Sequence, residues 1–365
     1  MVRTSWRSAT STPEFMAEHR RRQPSLPIID GHGEAVSFVA LPTSQQLWPF
    51  LSRCRKSCCE IRLHASSDGF LIVSRGDRFY ICNPTNRKHA LLPFSRPPRY
   101  SFTNDSHIHG LYQHKSTGEY RVLWSRLSES RSIQLVLPRL PSPSLEQTYE
   151  LIYQLSSPLP SPSPVHHRGN LHWLLFRPNL IPGSGSTGVI IVFDTEAESF
   201  RWMRNPAHHN CMLSSLFNME VEGRLAFLAK SLDGTTMDVW VMQDYETHIW
   251  AFKYRIDVSM VEASSRPLDS TSRKLRRKTK QPLDSTARFL GWMTPLNERE
   301  LLVGFNGKHV LRCDTDCKFL GMVTIGKKQY CMELTRHRIQ ESIMPIPSGE
   351  MQGEDEEFPF STEHV

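Results

Sequence analysis

Gly169-Asn-Leu-His-Trp-Leu174, followed by Val189-Ile-Ile-Val-Phe-Asp194-Thr-Glu-Ala-Glu-Ser-Phe200-Arg-Trp202, is the stretch on which the fold turns. It reads as a short apolar strand, a gap, a β-branched and aromatic strand, a turn led by Asp194, and a third strand opening on Phe200. Runs of about five such residues bounded by Gly, Asn, Asp and Ser are strand signals. Asn and Asp suit the turn because their side chains bond their own backbone and tolerate left-handed dihedrals. The unit is a β-meander.

The same order recurs on both sides. Upstream lie Gly69-Phe-Leu-Ile-Val73 and Phe79-Tyr-Ile-Cys-Asn83. Downstream lie Gly223-Arg-Leu-Ala-Phe-Leu228, then Met237-Asp-Val-Trp-Val-Met-Gln-Asp244, ending on His248-Ile-Trp250. A fourth copy runs Glu300-Leu-Leu-Val-Gly-Phe305, then His309-Val-Leu-Arg-Cys-Asp314, and reaches Phe319. The openings at 69, 169, 223 and 300 fit a period of about 50 if the first gap holds a weaker unit, a known blade spacing of β-propellers. Gly110-Leu-Tyr-Gln-His-Lys-Ser-Thr-Gly118-Glu-Tyr-Arg-Val-Leu-Trp124 supplies a hairpin there. The predicted fold is all-β, a propeller of about five to six four-stranded blades over residues 60–335.

The third gap holds an insertion, residues 262–288. Pro267-Leu-Asp-Ser-Thr-Ser-Arg273 recurs as Pro282-Leu-Asp-Ser-Thr-Ala-Arg288, which reads as a duplication in a surface loop, where added length costs little. Between the copies sit Arg273, Lys274, Arg276, Arg277, Lys278 and Lys280. The chain carries 44 basic and 37 acidic residues, a net of +7; without those six it is near neutral. The basicity is therefore a segment, a candidate nuclear-import patch, and not a nucleic-acid-binding face. Residues 137–164 hold seven prolines and are expected to be a loop, with a strand in Leu151-Ile-Tyr-Gln-Leu155. Residues 336–365, with an acidic run from Glu354 to Glu357, are expected to be a disordered tail.

Several chemistries lack their signatures. No Gly-x-Ser-x-Gly elbow occurs, and Gly183-Ser-Gly-Ser186 has no strand-to-helix context. Phosphate-loop and dinucleotide fingerprints are missing too. Of the eight cysteines, the pairs Cys54/Cys58 and Cys313/Cys317 do not form a structural zinc array, and no disulfide framework is expected. The longest aliphatic or aromatic run, residues 189–193, is far too short to span a bilayer, and residues 1–30 carry no signal-peptide core. The expected location is the cytoplasm or nucleus. Trp173, Trp202, Trp240 and Trp250 read as core aromatics, and the pairs His166/His167 and His208/His209 as loop residues. No catalytic, cofactor or metal residue is predicted, and a propeller enzyme is the least favoured reading.

The middle of the chain resembles the F-box associated, kelch-like propeller of plant F-box proteins. The residues that carry the resemblance are Ser67-Asp-Gly-Phe-Leu71, Tyr80-Ile-Cys-Asn-Pro-Thr-Asn-Arg87, Arg168-Gly-Asn-Leu-His-Trp173 and Met237-Asp-Val-Trp-Val-Met-Gln-Asp-Tyr-Glu246 with Trp250. Residues 1–22, with Trp6 and Phe15, resemble the last third of an F-box, and residues 23–59 are expected to be a linker. The resemblance implies protein recognition for a cullin ubiquitin ligase. It implies docking on a Skp adaptor, through Trp6 and Phe15, only where the F-box is completed. A truncated paralogue that binds a partner without recruiting the ligase is the alternative.

Overall fold

The computed structural model describes residues 12–32, 38–41, 48–51, 61–76, 78–92, 106–127, 133–137, 139–140, 147–151, 163–175, 189–206, 211–219, 223–231, 236–257, 290–297, 299–305, 309–316, 318–324, 331–347, 358 and 360. Contact density divides the chain into two units, one of Met1–Pro164, Thr195–Ala197 and Thr335–Val365, the other of Val165–Asp194 and Glu198–Leu334.

Among the described residues of the first unit one helix, α1 (Pro13–Arg22), precedes the strands. Thr12 caps it, its Oγ1 accepting from Phe15 N at 3.2 Å, and Pro13 fills the first helical position, where no amide hydrogen is needed. Three sheets follow: β1 (Ser25–His32), β2 (Phe38–Ala40) and β3 (Trp48–Leu51); β4 (Ile61–Ser67), β5 (Phe70–Arg75), β6 (Arg78–Asn83) and β7 (Lys88–Leu91); β8 (Ser106–Gln113), β9 (Tyr120–Leu127), β10 (Ile133–Leu137), β11 (Arg139–Leu140) and β12 (Gln147–Leu151). In the third, β10 and β11 follow one another along the same edge of β9, pairing with residues 124–127 and 120–121. The sheet is thus a four-stranded meander with one interrupted strand.

The second unit repeats the motif more regularly. Its sheets are β13 (Val165–His167), β14 (Asn170–Leu175), β15 (Val189–Asp194) and β16 (Ser199–Met203); β17 (Cys211–Met219), β18 (Arg224–Ser231), β19 (Thr236–Asp244) and β20 (Ile249–Asp257); and β21 (Leu290–Pro295), β22 (Glu300–Phe305), β23 (His309–Asp314) and β24 (Phe319–Met322). All recorded pairings are antiparallel. The last strand, β25 (Cys331–Gln340), pairs with β1, so the first sheet is built from both ends of the chain. Five four-stranded sheets and one five-stranded sheet are thus present among the described residues, the blades of a β-propeller.

Packing explains the unbroken apolar runs. Leu71 and Val73 of β5 join a core with Ile28, Leu51, Tyr80 and Ile339, while the alternating Phe70 and Ile72 join another with Ile81, Leu111 and Val122. In β18, Leu225, Phe227 and Ala229 face a core with Leu174, Ile190 and Val192, whereas Ala226 and Leu228 face Val303, Leu311 and Cys313. A sheet covered on both faces needs apolar side chains at every position, so the period-2 alternation disappears. Each such side chain contributes roughly 1.5–3 kcal/mol on burial.

Three expected boundaries move. Residues 23–59 are not simply a linker: they supply β1–β3, with Ile28, Ile29 and Leu51 fully buried. Residues 336–347 are not a disordered tail, because β25 extends to Gln340 and Ser342 is fully buried; Phe358 and Phe360 also pack on the core containing Tyr80. Within 137–164 the described strands are Arg139–Leu140 and Gln147–Leu151, the latter ahead of the expected 151–155. The causes differ: β2 and β3 are short, β1 is interrupted by Pro27 and Gly31, β12 lies in a proline-rich stretch, and β25, which carries Glu333, Arg336 and Arg338, pairs with β1 some 300 residues away. Residues 258–289, and with them the basic insertion, lie outside the described residues.

Candidate functional site

Two hairpins of the same geometry anchor the polar clusters of the molecule. Ser67 pairs with Phe70 across Asp68 (φ 55°) and Gly69 (φ 84°). His167 pairs with Asn170 across Arg168 (φ 51°) and Gly169 (φ 75°). Two successive positive φ values define the type I′ turn, whose twist matches that of the strands it joins.

In the first unit the turn is a fastening point. Arg20 of α1 reaches Asp68 Oδ1 at 3.3 Å and donates to Tyr120 Oη at 3.2 Å and Met344 Sδ at 3.4 Å. Tyr120 in turn donates to Asp68 Oδ2 at 3.3 Å. Burial first, and the Asp68 charge second, push the Tyr120 phenol well above its ordinary pKa, so it remains a donor. Gly69 lies against the C-terminal segment, where an added Cβ would sit 2.3 Å from Ser342 Cβ and 2.7 Å from Gln340 O. That segment is held by the Asn83-Pro-Thr-Asn86 turn. Asn83, fully buried, donates through Nδ2 to Ser342 O and Met344 O, both at 2.9 Å, while its Oδ1 accepts from Thr85 N at 3.0 Å. Asn86 Nδ2 donates to Met344 O at 3.1 Å.

In the second unit the equivalent turn borders a cluster built on Tyr245, in the β19–β20 turn. Tyr245 Oη donates to His172 Nε2 at 2.9 Å and accepts from Asn170 Nδ2 at 3.0 Å, while His172 Nδ1 donates to Val165 O at 3.1 Å. The tautomer is set by this arrangement, since the Val165 carbonyl can only accept. Burial lowers the His172 pKa to about 3, and burial with the neighbouring Arg168 lowers His167 to about 4. Both rings are neutral at physiological pH and serve as packing and hydrogen-bonding groups. Two guanidinium groups lie over the Tyr245 ring, Arg201 at 5.0 Å and Arg168 at 5.4 Å from its centroid. Arg201 Nη1 lies 3.2 Å from His248 Nε2, Arg204 N donates to His248 Nδ1 at 3.4 Å, and Trp250 Nε1 donates to Arg204 O at 2.8 Å.

The four tryptophans divide. Trp173 is buried against Phe200, Trp240 meets Phe252 edge-on at 5.6 Å, and Trp250 meets Phe227 edge-on at 6.1 Å. Trp202 is 49% exposed and does not belong to the core, contrary to the sequence reading. Phe15 stands on α1, 42% exposed; Trp6, Arg273, Lys274, Arg276, Arg277, Lys278 and Lys280 lie outside the described residues, as do His208 and His209. Cys82 and Cys313 are buried thiols, and burial raises the Cys82 thiol pKa. Among the described residues no group of three or more His, Cys, Asp or Glu is placed to hold a metal ion, and no helix is long and apolar enough to cross a membrane.

The profile of the F-box associated beta propeller domain matches residues 29–271, about two thirds of the sequence. The chain belongs to this family. An F-box protein of Arabidopsis thaliana is 24% identical over 192 residues, covering 51% of this chain and 47% of its own length, so the chain spans about half of that relative. Among solved structures, the C-terminal WD40 domain of Sif2 aligns with 81% of this chain and 72% of its own at 10% identity and a TM-score of 0.32. YCF48 bound to a D1 peptide aligns with 82% and 83% at 7% identity and a TM-score of 0.36. The family residues of this chain now have structural roles. Asn83 and Asn86 hold the C-terminal segment, Asp68 holds α1, and Arg168, Asn170, His172 and Tyr245 join the second unit's first sheet to its second. Arg20, Arg201 and Arg204 were not singled out in the sequence; an Asp-Gly and an Arg-Gly at the centre of two-residue hairpins were the available signal.

Proposed function

We propose that the chain is a protein-recognition module, the partner-holding part of an F-box subunit of a cullin-type ubiquitin ligase. The observation that carries this reading is the clamp on α1. The helix resembling the end of an F-box is tied through Arg20 to Asp68, Tyr120 and Met344, an arrangement that fixes it on the sheets of its own unit. Rigid placement is what a subunit presenting a bound protein to an enzyme requires. Loops projecting from a rigid β scaffold suit recognition, and the chain itself performs no chemistry. Docking on a Skp adaptor belongs to the completed F-box, with Trp6 and Phe15 contributing. The chain resides in cytoplasm or nucleus, residues 273–280 serving as import signal.

A pull-down tests this. The chain with a complete upstream F-box half is expected to retain the Skp adaptor and cullin, and Trp6→Ala or Phe15→Ala to weaken retention. A restored chain that ignores the adaptor would overturn the ligase reading in favour of partner binding alone.

A further inference from the structure

Phe358 and Phe360 belong to none of the sheets, yet both pack on the core that holds Leu51, Leu71 and Tyr80 in the first unit. Ten residues, 348–357, separate them from Pro347. Phe358 lies nearly flat on His89 of β7, the ring centroids 4.3 Å apart and the planes 18° from parallel. It meets Tyr80 of β6 edge-on at 5.5 Å. Phe360 tilts against Phe358 at 4.7 Å and against His89 at 6.1 Å. These are the separations and attitudes of attractive aromatic pairs.

The backbone contact of this segment is slight. Phe360 forms one antiparallel bridge with Leu51 of β3, whereas β10 and β12 are joined over five residue pairs. Among the described residues β3 ends its sheet, in the order β25-β1-β2-β3, and such an edge can accept an added strand. Pro49 of β3 has no amide hydrogen to give, and the Phe360 amide is taken by Phe358 O at 2.7 Å. The rings therefore do most of the holding. A connection of about this length supplies an effective concentration on the order of millimolar. A partner segment that repeats the ring contacts and adds contacts of its own can exceed that.

We propose that the edge of β3, with His89 and Tyr80, is a docking surface for a partner segment carrying two aromatic residues two positions apart. Phe358 and Phe360 are its resident occupant, displaced when such a partner binds. The inference rests on the protein-recognition reading and deepens it by naming the partner's chemistry. The occupant shows what the surface takes: one ring flat on an imidazole, a second packed on the first, and one bridged residue at Leu51. A proline between the anchors, as in Phe358-Pro359-Phe360, restricts the free segment and lowers the cost of ordering it.

A fluorescein-labelled peptide of residues 353–362 is titrated with the full chain and with full-length Phe358→Ala/Phe360→Ala, folding being checked by urea midpoint. The double variant is expected to bind the peptide at least about tenfold more tightly than wild type, because no tethered occupant competes. A peptide with alanine at both aromatic positions should bind neither chain. His89→Ala in the double variant should weaken binding about threefold or more by removing the stacking face. Should the double variant not fold, Phe358→Leu takes its place; it keeps an apolar side chain on the core, loses the ring on His89, and should bind about threefold or more tighter than wild type. Equal affinity of wild type and folded variant overturns the resident occupant. Equal binding of the alanine peptide overturns the aromatic recognition, and indifference to His89→Ala overturns the site. A folded variant that ignores the peptide overturns the proposal outright. The titration needs no adaptor: a chain that fails the Skp pull-down but binds the peptide loses the ligase reading and keeps this surface, whereas one that retains the adaptor and ignores the peptide loses this surface alone.

Discussion

Asp68-Gly69 in the first unit and Arg168-Gly169 in the second are the same turn with opposite charges in its first position. Asp68 turns its charge inward, onto Arg20 and Tyr120, and ties an N-terminal helix to a β-sheet. Arg168 lies over the ring of Tyr245. The backbone dictates where the side chain emerges, since a type I′ turn offers only one exit. The residue then decides whether that exit becomes a fastening or a stack on a neighbouring ring.

The largest expected effect breaks the fastening. Gly69→Ala would bring a Cβ into Ser342 and the Gln340 carbonyl on top of a left-handed backbone. Backbone strain alone costs roughly 1–2 kcal/mol. With displacement of the C-terminal segment, the loss is expected to reach about 3 kcal/mol or more. Gly118→Ala has the same sign of φ but nothing within 4 Å of the added atom, so it should cost only about 1 kcal/mol. Urea titrations of both variants check the ordering; equal losses would mean that the C-terminal segment does not lean on Gly69.

Asn83→Leu tests the same fastening from the other side. It removes two hydrogen bonds to Ser342 and Met344 carbonyls and leaves a buried carbonyl unsatisfied, for an expected loss of about 2–3 kcal/mol. Proteolysis should then cut near residues 340–347 first; protection equal to wild type would show that other contacts hold that segment.

The second unit answers to pH through two buried histidines. His172 is depressed to about 3 in the folded chain and His167 to about 4, both from an ordinary 6.5. Below pH 6.5 the unfolded chain therefore binds protons that the folded chain refuses. The stabilisation is complete above pH 6.5 and is lost as pH falls toward 3, with a slope for His172 of up to about 1.4 kcal/mol per pH unit. Denaturation midpoints at pH 7, 5.5 and 4.5 should fall in step, and His172→Gln should lower the midpoint at pH 7 but flatten the slope. An unchanged slope in that variant would remove His172 as its source.

The sequence revealed most of the sheets and little of what joins them. Phe70-Leu-Ile-Val73 was legible because a strand packed on both faces is apolar at every position, and Val189-Ile-Ile-Val-Phe193, with Ile190, Val192 and Phe193 fully buried, was legible in the same way. Ser25–His32 was not, because Pro27 and Gly31 break its pattern and its partner strand lies at the far end of the chain. The Cys82-Asn-Pro-Thr-Asn-Arg87 motif could be matched to a family, yet its work is done on residues 258 and 259 positions away. The same distance hid the Tyr245 cluster. Arg168, Arg201 and Tyr245 meet only after two sheets stack, and no spacing in the chain announces them.

The smallest stability effect carries the sharpest test of the comparison. Arg20→Gln removes the partner of Asp68, a pair with side chains 17% and 27% exposed. Partial exposure limits the expected loss to about 1 kcal/mol, but α1 should be freed, and amide exchange over residues 13–22 should speed toward that of an isolated helix, which at ten residues is unstable alone. Arg168→Gln at the matching turn breaks no ion pair, so stability should stay within about 0.5–1 kcal/mol, the worth of a partly exposed cation–π contact. If Arg168→Gln destabilises as much as Arg20→Gln, the two turns are both fastenings and the distinction between them fails.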